Sequence, residues 1–223
     1  MLTGPLADEA KRGMLVFVRL DLLARSYWIQ GQIPLARSST RRLIAGLRSD
    51  DSPFEYEEAG LLAVDVGDLD MARHCLATLQ KVFEKVPEGY TESTYYSIRG
   101  ALEAAAGNLD AAIESNRRAL DLPIEYEAYV ALGTSYGQKG DWSAAVAAYG
   151  QYLGYKGDLL RSLLPARWVI ANLSLARAYR NAGRETEAKH YYDEFFKHWA
   201  HADAENPWIQ TARIEYDKLP GQK

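Results

Sequence analysis

Cysteine is almost absent: Cys75 is the only one in 223 residues. An internal disulfide is therefore excluded, and the usage suits a reducing, cytoplasmic compartment. Long apolar runs are missing too. The greasiest stretch, Met14 to Ala24, is interrupted by Arg19 and Asp21 and is followed by no cleavage site. It is too short and too charged to span a bilayer, so the chain is expected to be soluble. Neither Asn-Gly nor Asp-Gly occurs, and β-branched alternation is scarce, which argues against hairpins and sheets. Positive charge is not in excess, since 26 Lys and Arg stand against 30 Asp and Glu for a net −4. That leaves no electrostatic footprint for nucleic acid or an anionic membrane. No phosphate-binding glycine loop, kinase catalytic loop or nucleophile–base pair on a turn is present. No catalytic residue, cofactor or metal is assigned, and a non-enzyme is expected.

What the chain has is helical periodicity, a hydrophobic content of 48%, and a set of regularly placed small residues. Its length allows one domain or two small ones, and residues 1–223 are read as one. The clearest stretch is Tyr126 to Tyr152. Residues 126–138 and 141–153 each carry apolar side chains at helical spacing, so each has a stripe to bury. Gly140 between them offers a left-handed turn and Asp141 a cap for the second helix. Gly133 and Ala145 allow close approach, with Tyr136 and Tyr149 filling the space beside them.

The same marks recur. Turn glycines fall at Gly31, Gly67, Gly107, Gly140 and Gly183. Five residues after each stands Ala36, Ala72, Ala112, Ala145 or Ala188. Seven before each stands Ala24, Gly60, Gly100, Gly133 or Ala176. Five helical hairpins are predicted, at about 14–48, 53–86, 91–122, 126–153 and 165–201. Repeat two is entered through Ser52-Pro53 and left at Pro87-Glu88-Gly89, and Pro123 closes repeat three. Repeat three is the least regular, with Glu103 and Asn116 where large apolar residues are usual. An insertion around Gly154–Leu164 lengthens the step to repeat five. Asn206-Pro207 then opens a capping helix, about 207–219, with Trp208, Ala212, Tyr216 and Leu219 inward and Gln210, Arg213 and Asp217 outward.

Tyr129-x2-Leu132-Gly133-x2-Tyr136 followed by Ala145-x3-Tyr149 resembles one tetratricopeptide (TPR) repeat, with Tyr for the usual leading Trp. The resemblance covers about 14–219. It implies an all-α, right-handed superhelical solenoid of helical hairpins, about five repeats plus the capping helix. It also implies a concave groove, lined by the first helix of each repeat, that binds a protein partner or extended peptide. A narrower resemblance covers roughly 164–219, through Leu175-Ala176-Arg177-Ala178-Tyr179, Phe195-Phe196-x2-Trp199-x2-Ala202-Asp203 and Ala212-Arg213-x-Glu215-Tyr216-x2-Leu219. This segment is similar to the TPR region of bacterial multidomain serine/threonine kinases or winged-helix regulators. The implied alternative is a ligand-sensing or regulatory module whose effector domain is absent from this chain.

Carried over residue by residue, the groove positions are Asp21, Arg25 and Trp28 in repeat one and Glu57, Leu61 and Asp65 in repeat two. Repeat three offers Ser97 and Ala101, repeat four Thr134 and Gln138, and repeat five Arg177, Arg180 and Asn181. The groove should be acidic near repeat two, neutral in the middle and basic near repeat five, with an anionic group of the ligand on Arg177 and Arg180. The alternative is that these residues are solvated helix faces. The family's clamp for chaperone tails needs Lys-x3-Asn, Asn and Lys-x3-Arg; Asp21/Arg25, Glu57/Leu61 and Ser97/Ala101 stand there instead, which argues against that ligand.

Three other clusters have plainer readings. His190, Glu194, His198 and His201 share a helical stripe with zinc-like spacing, but the repeat pattern turns Ala188, Tyr192 and Phe195 inward and leaves the stripe on the surface. Arg37, Arg41, Arg42 and Arg48 are followed at once by Asp50, Asp51, Glu55, Glu57 and Glu58, so a salt-bridged helix is expected rather than a nucleic-acid face. Cys75 has no partnered His and reads as core. At the amino end, Met14 to Leu23 are apolar on nearly every side of the first helix. A helix of that kind is normally covered, so self-association or an upstream domain is expected there.

Overall fold

The computed structural model describes residues 5–48, 51–86, 89–121, 126–157 and 165–220. Asp50, Pro87, Glu88, Pro123 and the 158–164 part of the expected insertion lie outside the described residues. Among those described are eleven α-helices and no strand. They are α1 (Pro5–Ile29), α2 (Ile33–Ala45), α3 (Pro53–Asp65), α4 (Leu69–Phe83), α5 (Tyr90–Ala105), α6 (Leu109–Ala119), α7 (Glu127–Gln138), α8 (Trp142–Gly154), α9 (Pro165–Asn181), α10 (Glu185–His198) and α11 (Pro207–Tyr216). The expected pairing of helices is therefore present, an all-α helical-repeat solenoid. The chain divides into two compact units, Met1–Ile98 and Arg99–Lys223, with the division falling inside α5.

In the first unit α1 packs on α2 and α3 on α4. Each hairpin turns at a glycine with positive φ, 73° at Gly31 and 71° at Gly67, where a side chain would strain the backbone. Helix α3 starts with a capping box: the Ser52 hydroxyl accepts from Phe54 N–H at 3.1 Å, and Glu55 accepts from Ser52 N–H at 3.0 Å. Its middle is bare because it must be. A Cβ on Gly60 would stand 2.5 Å from Ile98 Cδ1 and 3.1 Å from Cys75 Cβ. Ala24, Ala36, Leu62, Ala72, Cys75, Leu79 and Ile98 of this unit are fully buried.

The second unit repeats the device with larger fillers. A Cβ on Gly133 of α7 would fall 2.7 Å from the Tyr149 ring of α8. Asp141 caps α8 by accepting from Ala144 N–H at 3.0 Å, as the sequence predicts. Tyr152, Leu173, Tyr192 and Phe195 are completely enclosed. Asn206 caps α11 by accepting from Trp208 N–H at 2.9 Å, with Pro207 in the first turn. Helix α11 is shorter than the predicted 207–219, ending at Tyr216, and Leu219 closes the following turn with its N–H on the Tyr216 carbonyl. Ala212 and Leu219 are buried as expected and Trp208 and Tyr216 half-buried. Ile209, which the repeat pattern does not single out, completes the apolar side of α11.

Candidate partner-binding faces

The first unit encloses three of its four predicted groove charges, Asp21, Arg25 and Glu57. Asp21 and Arg25 lie one helical turn apart on α1, and Arg25 Nε donates to both Asp21 carboxylate oxygens at 2.9 Å. From α3, Glu58 accepts from Arg25 Nη2 at 2.5 Å. The side chains of Asp21, Arg25 and Glu58 are only 5%, 5% and 10% exposed. Arg25 Nη1 is enclosed with no hydrogen-bond partner among the described residues. Trp28, Glu57, Leu61 and Ser97 are buried as well, leaving Asp65 exposed. The structure thus joins Asp21 to Arg25 and adds Glu58, which no groove position of the repeat had marked.

The second unit keeps its polar strip at the surface. Ala101, on α5, is half-buried. On α7, Thr134 and Gln138 are exposed. The Thr134 hydroxyl shares a 3.1 Å hydrogen bond with Tyr149 OH. Burial raises the Tyr149 phenol pKa, while hydrogen bonds from Thr134 and Ser174 and the charge of Arg177 act against it. On α9, Arg177 and Arg180 are half-exposed and Asn181 exposed.

Arg177 Nε donates to Glu215 Oε2 of α11 at 2.8 Å, and Tyr192 OH of α10 donates to the same oxygen at 2.9 Å. Arg180 Nη1 lies 3.9 Å from it and makes a long 3.4 Å hydrogen bond to Tyr192 OH. Burial raises the Tyr192 pKa strongly, and the adjacent Glu215 charge adds to this, so the phenol remains a donor. A related arrangement sits deeper. Tyr152 OH and Arg167 Nη1 donate to the two oxygens of Glu127 at 2.9 and 2.7 Å.

The remaining clusters resolve by contact. Arg37 donates twice to the Val66 carbonyl, Arg41 pairs with Asp68 at 2.6 Å, and Arg48 lies 3.6 Å from Asp51. Arg41 thus ties α2 to an acidic neighbour and Arg37 ties it to a backbone carbonyl, while Arg48 lies past the end of the helix. His198 lies 3.6 Å from Glu194 and edge-on to Trp168. Among the described residues no three His, Cys, Asp or Glu are grouped to hold a metal. Cys75 is fully buried, and burial pushes its thiol up to about 12. Met14, Leu15, Val16, Leu22 and Leu23 of α1 are exposed. No described helix is long and apolar enough to cross a membrane.

A family-model match agrees with the helical pairing. The family model for the tetratricopeptide repeat matches residues 58–126 and 130–195. A crystal structure of MamA protein aligns over 83% of this chain and 92% of its own at 18% identity, with a TM-score of 0.48. The crystal structure of a Podosopora anserina putative kinesin light chain with nearly identical TPR-like repeats aligns over 83% of this chain and 96% of its own at 19% identity, with a TM-score of 0.45. These likenesses concern the fold alone. No curated protein matches the sequence.

Proposed function

The chain belongs to the tetratricopeptide repeat family, and from that premise we propose that it is a non-catalytic scaffold holding an extended, acidic segment of a partner protein along the second unit. Repeats of this kind are protein–protein interaction scaffolds. One observation carries the finer reading: Arg177 and Arg180 are half-exposed on α9, in the unit that also exposes Thr134 and Gln138 on α7. A guanidinium pair at this spacing favours carboxylates, because each planar fork can donate two parallel hydrogen bonds. The hydroxyl and amide of α7 add hydrogen-bonding capacity without charge. In the first unit, by contrast, Arg25 is held by internal carboxylates and enclosed, so it supports no such role.

The test is charge reversal. A partner captured from the native host should bind Arg177→Glu/Arg180→Glu at least about tenfold more weakly, a loss of about 1.4 kcal/mol or more. Calorimetry would measure it, with helix content compared by circular dichroism. An unchanged affinity in a folded double variant removes the reading.

A further inference from the structure

We propose that Arg177, Arg180 and Tyr192 form a carboxylate seat that Glu215 of α11 fills from within the chain, and that an acidic segment of a partner must displace Glu215 to dock. This deepens the proposed function and rests on its placing of an anionic group at Arg177 and Arg180.

Two donors, Arg177 Nε of α9 and Tyr192 OH of α10, converge on one oxygen, Glu215 Oε2, at 2.8 and 2.9 Å, and Arg180 Nη1 stands 3.9 Å from it. A guanidinium and a phenol aimed at one point are what a peptide carboxylate would require, and Glu215 presents that group from α11. The fit is incomplete. Two guanidinium charges face one carboxylate, and Arg180 stays beyond hydrogen-bond distance of it. A ligand with two carboxylates would satisfy the seat better than Glu215 does.

Tyr192 is enclosed beneath the seat, but the charged groups above it reach water. The side chains of Arg177, Arg180 and Glu215 are 30%, 32% and 18% exposed, so solvent screens the pair and can follow the carboxylate out. Helix α11 does not depend on Glu215 for its place. Ile209, Ala212 and Leu219 are buried beneath it. On its last turn, Tyr216 OH donates to Asp193 at 2.8 Å and meets Lys189 Nζ at 2.5 Å. Glu215 can therefore leave the seat while α11 remains docked.

The probe is an N-acetylated, C-amidated hexaglutamate peptide, with hexaglutamine as the uncharged control, titrated by NMR against the full chain. If Glu215 occupies the seat most of the time, Glu215→Gln and Glu215→Ala should each bind hexaglutamate about 5- to 10-fold more tightly than the unaltered chain. Hexaglutamine should show no such gain. Using both variants guards against one of them perturbing α11, which thermal melts would reveal. Equal affinity in all three forms, with binding still lost in Arg177→Ala/Arg180→Ala, overturns the internal competition and leaves the docking site standing. Binding that survives the double arginine variant overturns the docking site itself, and the competition with it.

Discussion

Each unit contains an arginine of a first helix bonded to a glutamate on the helix that opens the next element of the stack, yet the two pairs differ in physical character. Arg25 of α1 meets Glu58 of α3 with every participating side chain nine-tenths or more enclosed. Arg177 of α9 meets Glu215 of α11 with 30% of the arginine side chain still in water. Desolvating a charge costs several kcal/mol, recovered only when the partner geometry is good, so a buried arginine is fixed to its carboxylates. An arginine with 30% of its side chain still in water keeps part of its hydration and can change partners more readily. Comparable positions in a repeat thus need not share a role; the depth of burial decides which charge is structural and which is available.

The sharpest way to break this contrast is Arg25→Ala. It removes the cation that Asp21 and Glu58 share in an enclosed site, and the expected loss is about 3–5 kcal/mol of unfolding free energy in urea titration. Replacing the ion cluster (Asp21→Leu, Arg25→Met and Glu58→Leu together) should recover part of that loss, since well-packed apolar groups need no counter-charge. A cost below about 1 kcal/mol for Arg25→Ala would place the first unit's pair in the same class as an exposed one.

Next in size is Gly133→Ala. The new Cβ would stand 2.7 Å from the Tyr149 ring, which is buried and held by Thr134 through its hydroxyl. Overpacking costs about 1–3 kcal/mol, less the modest gain in helix propensity from losing a glycine. Because the buried Tyr149 hydroxyl is hydrogen-bonded to Thr134 of the polar strip, the variant also asks whether that strip is built on a rigid base. A melting temperature at or above that of the unaltered chain would mean the tyrosine yields, and that the strip is softer than its burial suggests.

How much of this was legible depended on the range of the interaction. Turn glycines and small residues at fixed offsets are local features, and Gly31, Gly60, Gly67 and Gly133 do in space what their spacing implies. Caps are equally local, as Ser52, Asp141 and Asn206 show. Contacts between successive repeats are another matter. Glu58 lies 33 residues from Arg25, and Glu215 lies 38 from Arg177, so no pattern within one repeat could select them. Burial of Asp21, Arg25 and Glu57 was hidden for a related reason: a repeat template marks a face as outward, but neighbouring helices decide how much of it they cover. The irregularity of repeat three was visible, though its consequence was not. Asn116 sits fully enclosed against Gly100, with Nδ2 on the Ala112 carbonyl and Oδ1 without a partner among the described residues.

The smallest expected effect is also the most discriminating. Arg177→Ala should cost no more than about 1 kcal/mol of stability, the range of solvent-screened pairs, where Arg25→Ala costs several times that. Truncation leaves Glu215 facing Tyr192 OH, which still donates at 2.9 Å, and leaves it partly wet, so no charge is stranded. Salt sharpens the point. With a Debye length of about 10 Å at 0.1 M and about 3 Å at 1 M, whatever the pair contributes should fade as ionic strength rises, and the variant and the unaltered chain should converge. The enclosed Arg25 cluster should show no such convergence, because ions cannot enter it. If Arg177→Ala instead lost as much as Arg25→Ala, and lost it equally at both salt concentrations, Glu215 would be as fixed as Glu58. An acidic partner would then have nothing to exchange with.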